Sequence, residues 1–248
     1  MNRLVRAELY RVLHSNHFVI WLVAVCLIFV VMMISTSESI FSMNLGDVMN
    51  EFGDVYGFMM LLISTFSAVV IGIGYMRRTA YYEVMAGNRI SHILFSKMIA
   101  DAIPITVFNF MAAIIIPMVL CIKNGMGTAT QVVERFSLLF VVLLHICVCS
   151  VWMVTAMRHV AAAVVVYLRF SMIELVIMLI ITFIADGMSV VPEWMKGVQH
   201  YMVMCQMADI FQEELNVELV VAVFVSLLLE SAFWYITSYI GMKKKLYG

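Results

Sequence analysis

The chain has 248 residues, 64% of them hydrophobic and 12% charged, with a mean hydropathy of +1.02 and a formal net charge of −1. A composition this apolar excludes an ordinary water-soluble globular domain and makes lipid the expected solvent. It also offers no basic excess for a nucleic acid, and no nucleic-acid partner is expected.

Residues 1–16, MNRLVRAELYRVLHSN, place Val5, Leu9, Val12 and Leu13 at helical spacing, with Arg3, Arg6 and Tyr10 on another face. This pattern predicts an amphipathic helix lying in the membrane interface with its basic face toward anionic headgroups. A first span that simply begins early is the alternative. No small-residue cleavage site follows the first apolar run, so the segment is expected to be retained rather than removed as a signal.

Apolar runs of about 18–25 residues can cross a hydrocarbon layer of roughly 30 Å. Six such spans are predicted: His17–Ile34, Val55–Met76, Asp101–Ile122, Phe136–Met157, Val160–Ala185 and Val217–Gly241. The fourth and fifth are joined only by Arg158 and His159, which forces an antiparallel hairpin. Eleven lysines and arginines lie in one set of flanking segments (1–16, 77–97, 158–159 and the C-terminal tail) and three in the other, with Arg169 inside a span. Basic residues concentrate in cytoplasmic loops, so both termini are expected in the cytoplasm. The outer segment 35–54 agrees, carrying Glu38, Asp47, Glu51 and Asp54 with no base.

The segment after the second span, RRTAYYEVMAGNRISHILFSK (77–97), is polar and basic. Gly87 and Asn88 accept the left-handed geometry that ends helices, which predicts a short helix over about Thr79–Ala86 and a turn. Ser91 is then placed to cap a second helix running through Lys97 into the third span. A short helix presenting Tyr81, Tyr82, Glu83 and Met85 suits docking in a groove of another protein. A solvated loop whose charges only set topology is the other reading. Pro104 and Pro117 in the third span each remove an amide donor and favour a bend.

In the fourth span, LLHICVCSVW puts His145 and Cys149 on one helical face and turns Cys147 away. Two convergent ligands are too few for a metal, so no metal site is expected and packing is the predicted role. Cys26, Cys121, Cys147 and Cys149 fall in apolar runs and read as small core hydrophobes, while Cys205 sits in a polar segment without an obvious partner.

Arg169 and Glu174 lie in the fifth span and Glu230 in the sixth. A charge at the bilayer centre costs about 3 kcal/mol or more, so each needs a partner. At about 1.5 Å per residue, Arg169 and Glu230 lie roughly 15 and 20 Å from the cytoplasmic ends of their spans, which favours a pair between them. Arg169 and Glu174 diverge by roughly 140° around an α-helix and are predicted not to pair. These groups either line a path or a moving interface, or they fix helix register.

The outer segment 186–216 is long and apolar for a connector. Pro192 is placed to open one short helix that ends near Gly197, and a second is predicted from about His200 to Glu214. Trp194, Tyr201 and several methionines would then sit at the outer boundary as an interfacial or re-entrant pair. The 23 methionines of the chain suit an adaptable surface for amphipathic, hydrophobic cargo, or serve as lipid-facing filler.

The opening LVRAELYRVLHSNHFVIWLV and the stretch YYEVMAGNRISHILFSKMI resemble corresponding parts of the type-2 ABC exporter permeases, in particular those of bacteriocin-immunity, lantibiotic and peptide-toxin export systems. The resemblance covers the whole chain in architecture. It implies an all-α integral membrane fold of six transmembrane helices, with an N-terminal interfacial helix and a cytoplasmic coupling helix in 77–97. Tyr81, Tyr82, Glu83, Gly87, Asn88 and Arg89 would carry motion from an ABC ATPase subunit, expected in two copies, to a homodimer of permeases in a bacterial cell membrane. The cargo would be an amphipathic peptide or another hydrophobic compound, entering between two copies lined by spans one, two and five. No G-x-x-x-x-G-K-[ST] stretch occurs, so ATP and Mg are expected on the partner and no cofactor or enzymatic activity in this chain. An ion-coupled secondary transporter using Arg169, Glu174 and Glu230 is the alternative, although the inverted repeat expected of such carriers is not visible.

Overall fold

In a computed structural model of the chain, the structure describes residues 2–35, 86–120, 129–157, 162–186, 197–212, 215 and 217–247. The expected second span (55–76), Tyr81, Tyr82, Glu83 and the helix around them, the link 158–161, and Pro192 and Trp194 of the outer segment lie outside the described residues. Every regular element described is helical. Among the described residues, four helices are long and apolar enough to cross a membrane: Ile90–Ile114, Val132–Met157, Val164–Ile184 and Val217–Lys244. A fifth is present if the bent pair Arg3–Leu13 with Phe18–Leu27 counts as one broken span.

The chain opens with α1 (Asn2–Leu13) and α2 (Asn16–Ser35), bent by 55° relative to each other. Ser15 makes the break: its Oγ accepts the Phe18 amide at 3.1 Å and so caps α2. Two helices therefore stand where a single early-starting span was the alternative. Val12 is buried and Arg3, Arg6 and Tyr10 are exposed, but Leu13 is exposed as well, and the buried face of α1 includes Glu8.

Gly87 adopts φ +83°, the left-handed turn that its lack of a side chain permits. Helix α3 (Ile90–Lys97) starts three residues later with Arg89 as an extended N-cap residue and no side-chain cap, so Ser91 lies inside the helix rather than capping it. From α3 the chain runs through π1 (Met98–Ala102) into α4 (Ile103–Leu120). The candidate membrane-crossing helix thus begins at Ile90, eleven residues before the expected start at Asp101. The charges of Lys97 and Asp101 marked a polar boundary in the sequence; in the fold they are neutralised against α1 and do not interrupt the helix. Pro104 follows directly on the π turn. It has no amide proton and its ring crowds the carbonyl four residues back, Ala100, within π1, where a wider turn relieves both problems.

The central element is α5 (Ala129–Met157): 83% of its spanning window is buried, against 22% for Val164–Ile184 and Val217–Lys244. The helix predicted as the fifth span is α6 (Ala162–Tyr167), π2 (Leu168–Ile173) and α7 (Glu174–Asp186) in one run. Helix α8 (Val203–Gln212) packs on α5, and α9 (Val217–Tyr247) makes the most extensive contact with α5. Near one end, Trp152 of α5 is enclosed by Phe95 and Tyr235 with ring centroids 6.3 and 5.3 Å away, and Ser238 Oγ donates to the Trp152 carbonyl. The last helix outruns the expected Gly241 boundary and includes Lys243 and Lys244, where positive charge favours a helix C-terminus.

Candidate functional site

The three charges predicted to lie within spans converge. Arg169, in π2, donates from Nη1 to Glu174 Oε1 at 2.8 Å and from Nη2 to Glu230 Oε1 at 2.9 Å. The pair with Glu230 follows from their similar depth. The pair with Glu174 corrects the sequence expectation. Positions five apart diverge on an α-helix, but a π-helix bonds i to i+5 and brings them over one another. Ser171 Oγ, which donates to the Tyr167 carbonyl at 2.5 Å, satisfies a carbonyl within this altered stretch.

Glu174 is almost fully buried and its second oxygen accepts the Met204 backbone amide at 2.8 Å. Met204 lies at the start of α8, where amide groups have no partner within their own helix, so a carboxylate there is favoured by both hydrogen bond and helix dipole. The span that carries Arg169 is thereby tied to α8. Met202 and Met207 of this region are buried and Tyr201 is exposed.

Glu230 also reaches into the centre of the bundle. Its Oε2 lies 3.1 Å from His145 Nε2, and His145 is fully buried with its ring edge-on to Phe170. Cys149, one turn along α5, lies 3.9 Å from Ser231 Oγ. A donor atom from each of His145, Cys149 and Glu230 falls within 4.8 Å of the others. The third donor has no signal along α5, because Glu230 comes from α9, 85 positions from His145. Cys147, also buried, is not part of this set.

A second charge cluster joins α1 to the third span. Lys97 Nζ donates to Glu8 Oε1 at 2.5 Å, Arg11 Nε donates to Glu8 Oε2 at 2.5 Å, and Arg11 Nη2 lies 3.4 Å from Asp101 Oδ1. Lys97, Glu8 and Asp101 are all buried. Each end had a local signal, since Glu8 and Arg11 are three apart and Lys97 and Asp101 four apart. The contact between the two ends had none.

Of the residues assigned to coupling, Gly87 and Arg89 are exposed and Asn88 is partly buried, at the turn leading into α3. Cys205, for which no partner was evident, lies under α7 with its Sγ 3.2 Å from Met178 Sδ. Burial, with the carboxylates of Asp209 and Glu174 nearby, pushes its thiol up to about 12. No family model matches the chain, and no curated protein matches it.

Proposed function

We propose that this chain is the membrane-spanning permease subunit of an ATP-driven exporter of the type-2 ABC class. It moves amphipathic peptides or other hydrophobic compounds outward across a bacterial cell membrane, with both termini in the cytoplasm. A separate ATPase, in two copies, binds ATP and Mg and grips residues 77–97 of two permease copies. The observation that supports this reading most directly is the buried Glu8–Lys97 and Arg11–Asp101 network. It fastens α1 and the start of the third span to one another at the end of the basic segment, so a pull on that segment would act on both elements together. The buried helix α5 gives such a pull a packed core to act on.

The test is co-expression with a neighbouring ATPase, co-purification, and measurement of ATP hydrolysis as candidate peptides are added. Peptide-stimulated hydrolysis by the complex is expected. Glu83→Arg and Arg89→Glu are expected to weaken assembly or to uncouple hydrolysis from transport. Unaltered transport with both changes present would refute the docking assignment.

The triad of Arg169, Glu174 and Glu230 favours a second reading, an ion-coupled carrier, because intramembrane carboxylates can bind coupling ions. Proteoliposomes holding this chain alone separate the two. Cargo uptake driven by an ion gradient without ATPase supports the carrier and defeats the exporter.

A further inference from the structure

We propose that His145, Cys149 and Glu230 form a binding site for a divalent, thiol-seeking metal ion of the zinc type, placed midway along α5 and α9. The donor atoms lie within 4.8 Å of one another, and the His145–Glu230 edge is already 3.1 Å. A tetrahedral zinc centre with bonds of about 2.0–2.3 Å needs donor separations of about 3.3–3.7 Å, so side-chain rotations of about 1 Å complete the set. His145 is near the midpoint of Val132–Met157 and Glu230 near that of Val217–Lys244, so the ion would pin α5 to α9 at their centres.

The surroundings support the geometry. Arg169 holds Glu230 by Oε1, which leaves Oε2 turned toward His145, as an outer partner orients a ligating carboxylate. His145 Nδ1 is buried without a hydrogen-bond partner among the described residues. As a neutral ligand His145 binds through Nε2 with its ring proton on Nδ1. The balanced step is thiol plus metal dication giving metal thiolate plus one proton, released to solvent. Three protein ligands leave a fourth position open, as in zinc sites that exchange a bound molecule.

The experiment uses the full chain, purified without a histidine tag and stripped of metal, titrated with cobalt(II) and then with zinc(II). One equivalent of cobalt is expected, with a thiolate-to-cobalt charge-transfer band in the near ultraviolet, displacement by zinc, and one proton released per ion in weak buffer. Cys149→Ser is expected to abolish the band and Glu230→Gln to weaken binding at least about tenfold, while Cys147→Ser keeps both. No stoichiometric binding, or a charge-transfer band that survives Cys149→Ser, overturns the site. Helix content and elution profile of each variant, measured beside the titration, separate lost ligands from lost fold, and Glu230→Gln supplies the second variant if Cys149→Ser does not fold.

Discussion

Lys97 and Glu8 stand 89 positions apart in the chain, yet their side chains meet at 2.5 Å with 1% and 4% of their surfaces exposed. This pair, extended by Arg11 and Asp101, converts two locally weak charge patterns into one joint between α1 and the third span. Removing Glu8 takes from buried Lys97 its 2.5 Å partner and from Arg11 one of its two carboxylates, a loss of up to about 3–5 kcal/mol. Glu8→Ala alone is therefore expected to lower the thermal midpoint of the detergent-solubilised chain markedly. Glu8→Leu with Lys97→Met, which removes both charges and keeps volume, is expected to recover most of it. A Glu8→Ala midpoint equal to that of the parent would show that the pair carries no stability.

The Arg169–Glu230 pair invites a charge swap, and the fold predicts how the swap fails. Arg169→Glu with Glu230→Arg restores one pair but sets a new carboxylate against Glu174, which Arg169 also contacts. The double variant is expected to remain less stable than the parent. Adding Glu174→Gln removes the repulsion and should raise the midpoint above that of the double. Equal midpoints for the double and triple variants would contradict the three-way arrangement.

Glu174 holds the first turn of α8 through the Met204 amide. Glu174→Leu leaves that amide without its acceptor, a loss of about 1–3 kcal/mol locally. Hydrogen exchange at Met204 and its neighbours is expected to rise by about tenfold to a hundredfold. Glu174→Gln retains an acceptor oxygen and should stay near the parent rate. Identical exchange in the leucine and glutamine variants would remove the capping role.

Cys205 sets a pH dependence outside the spans. Its thiol is pushed up to about 12 by burial first and by Asp209 and Glu174 second, against about 8.5 for an unfolded cysteine. The neutral form is the one the fold accepts. Its stabilising effect is thus complete below about pH 8.5 and is lost as pH rises toward about 12. Alkylation requires thiolate, so labelling of Cys205 should climb about tenfold per pH unit through pH 9–11 without levelling. Mass-spectrometric rates that flatten near pH 9 would show an ordinary thiol.

The helical, lipid-solvated character of the chain is written in runs of apolar residues, because hydrophobicity and helix periodicity are local properties. Helix placement followed closely for α2, for the Met157 end of α5 and for the Val217 start of α9, while α5 begins seven residues before the expected Phe136 and α9 runs six past Gly241; the turn at Gly87 followed from a single residue that tolerates positive φ. The Arg169–Glu230 pair was legible too, since depth along a helix can be counted. What only tertiary structure decided is which charges share a centre. The i to i+5 turn of Leu168–Ile173 reset the face shared by Arg169 and Glu174, and helix packing brought Glu230 to His145 and Glu8 to Lys97. Charges in a low-dielectric interior must find partners, but a linear pattern states only the need. The partner depends on helix pitch and on contacts across many tens of residues, and those exist only once the bundle has closed.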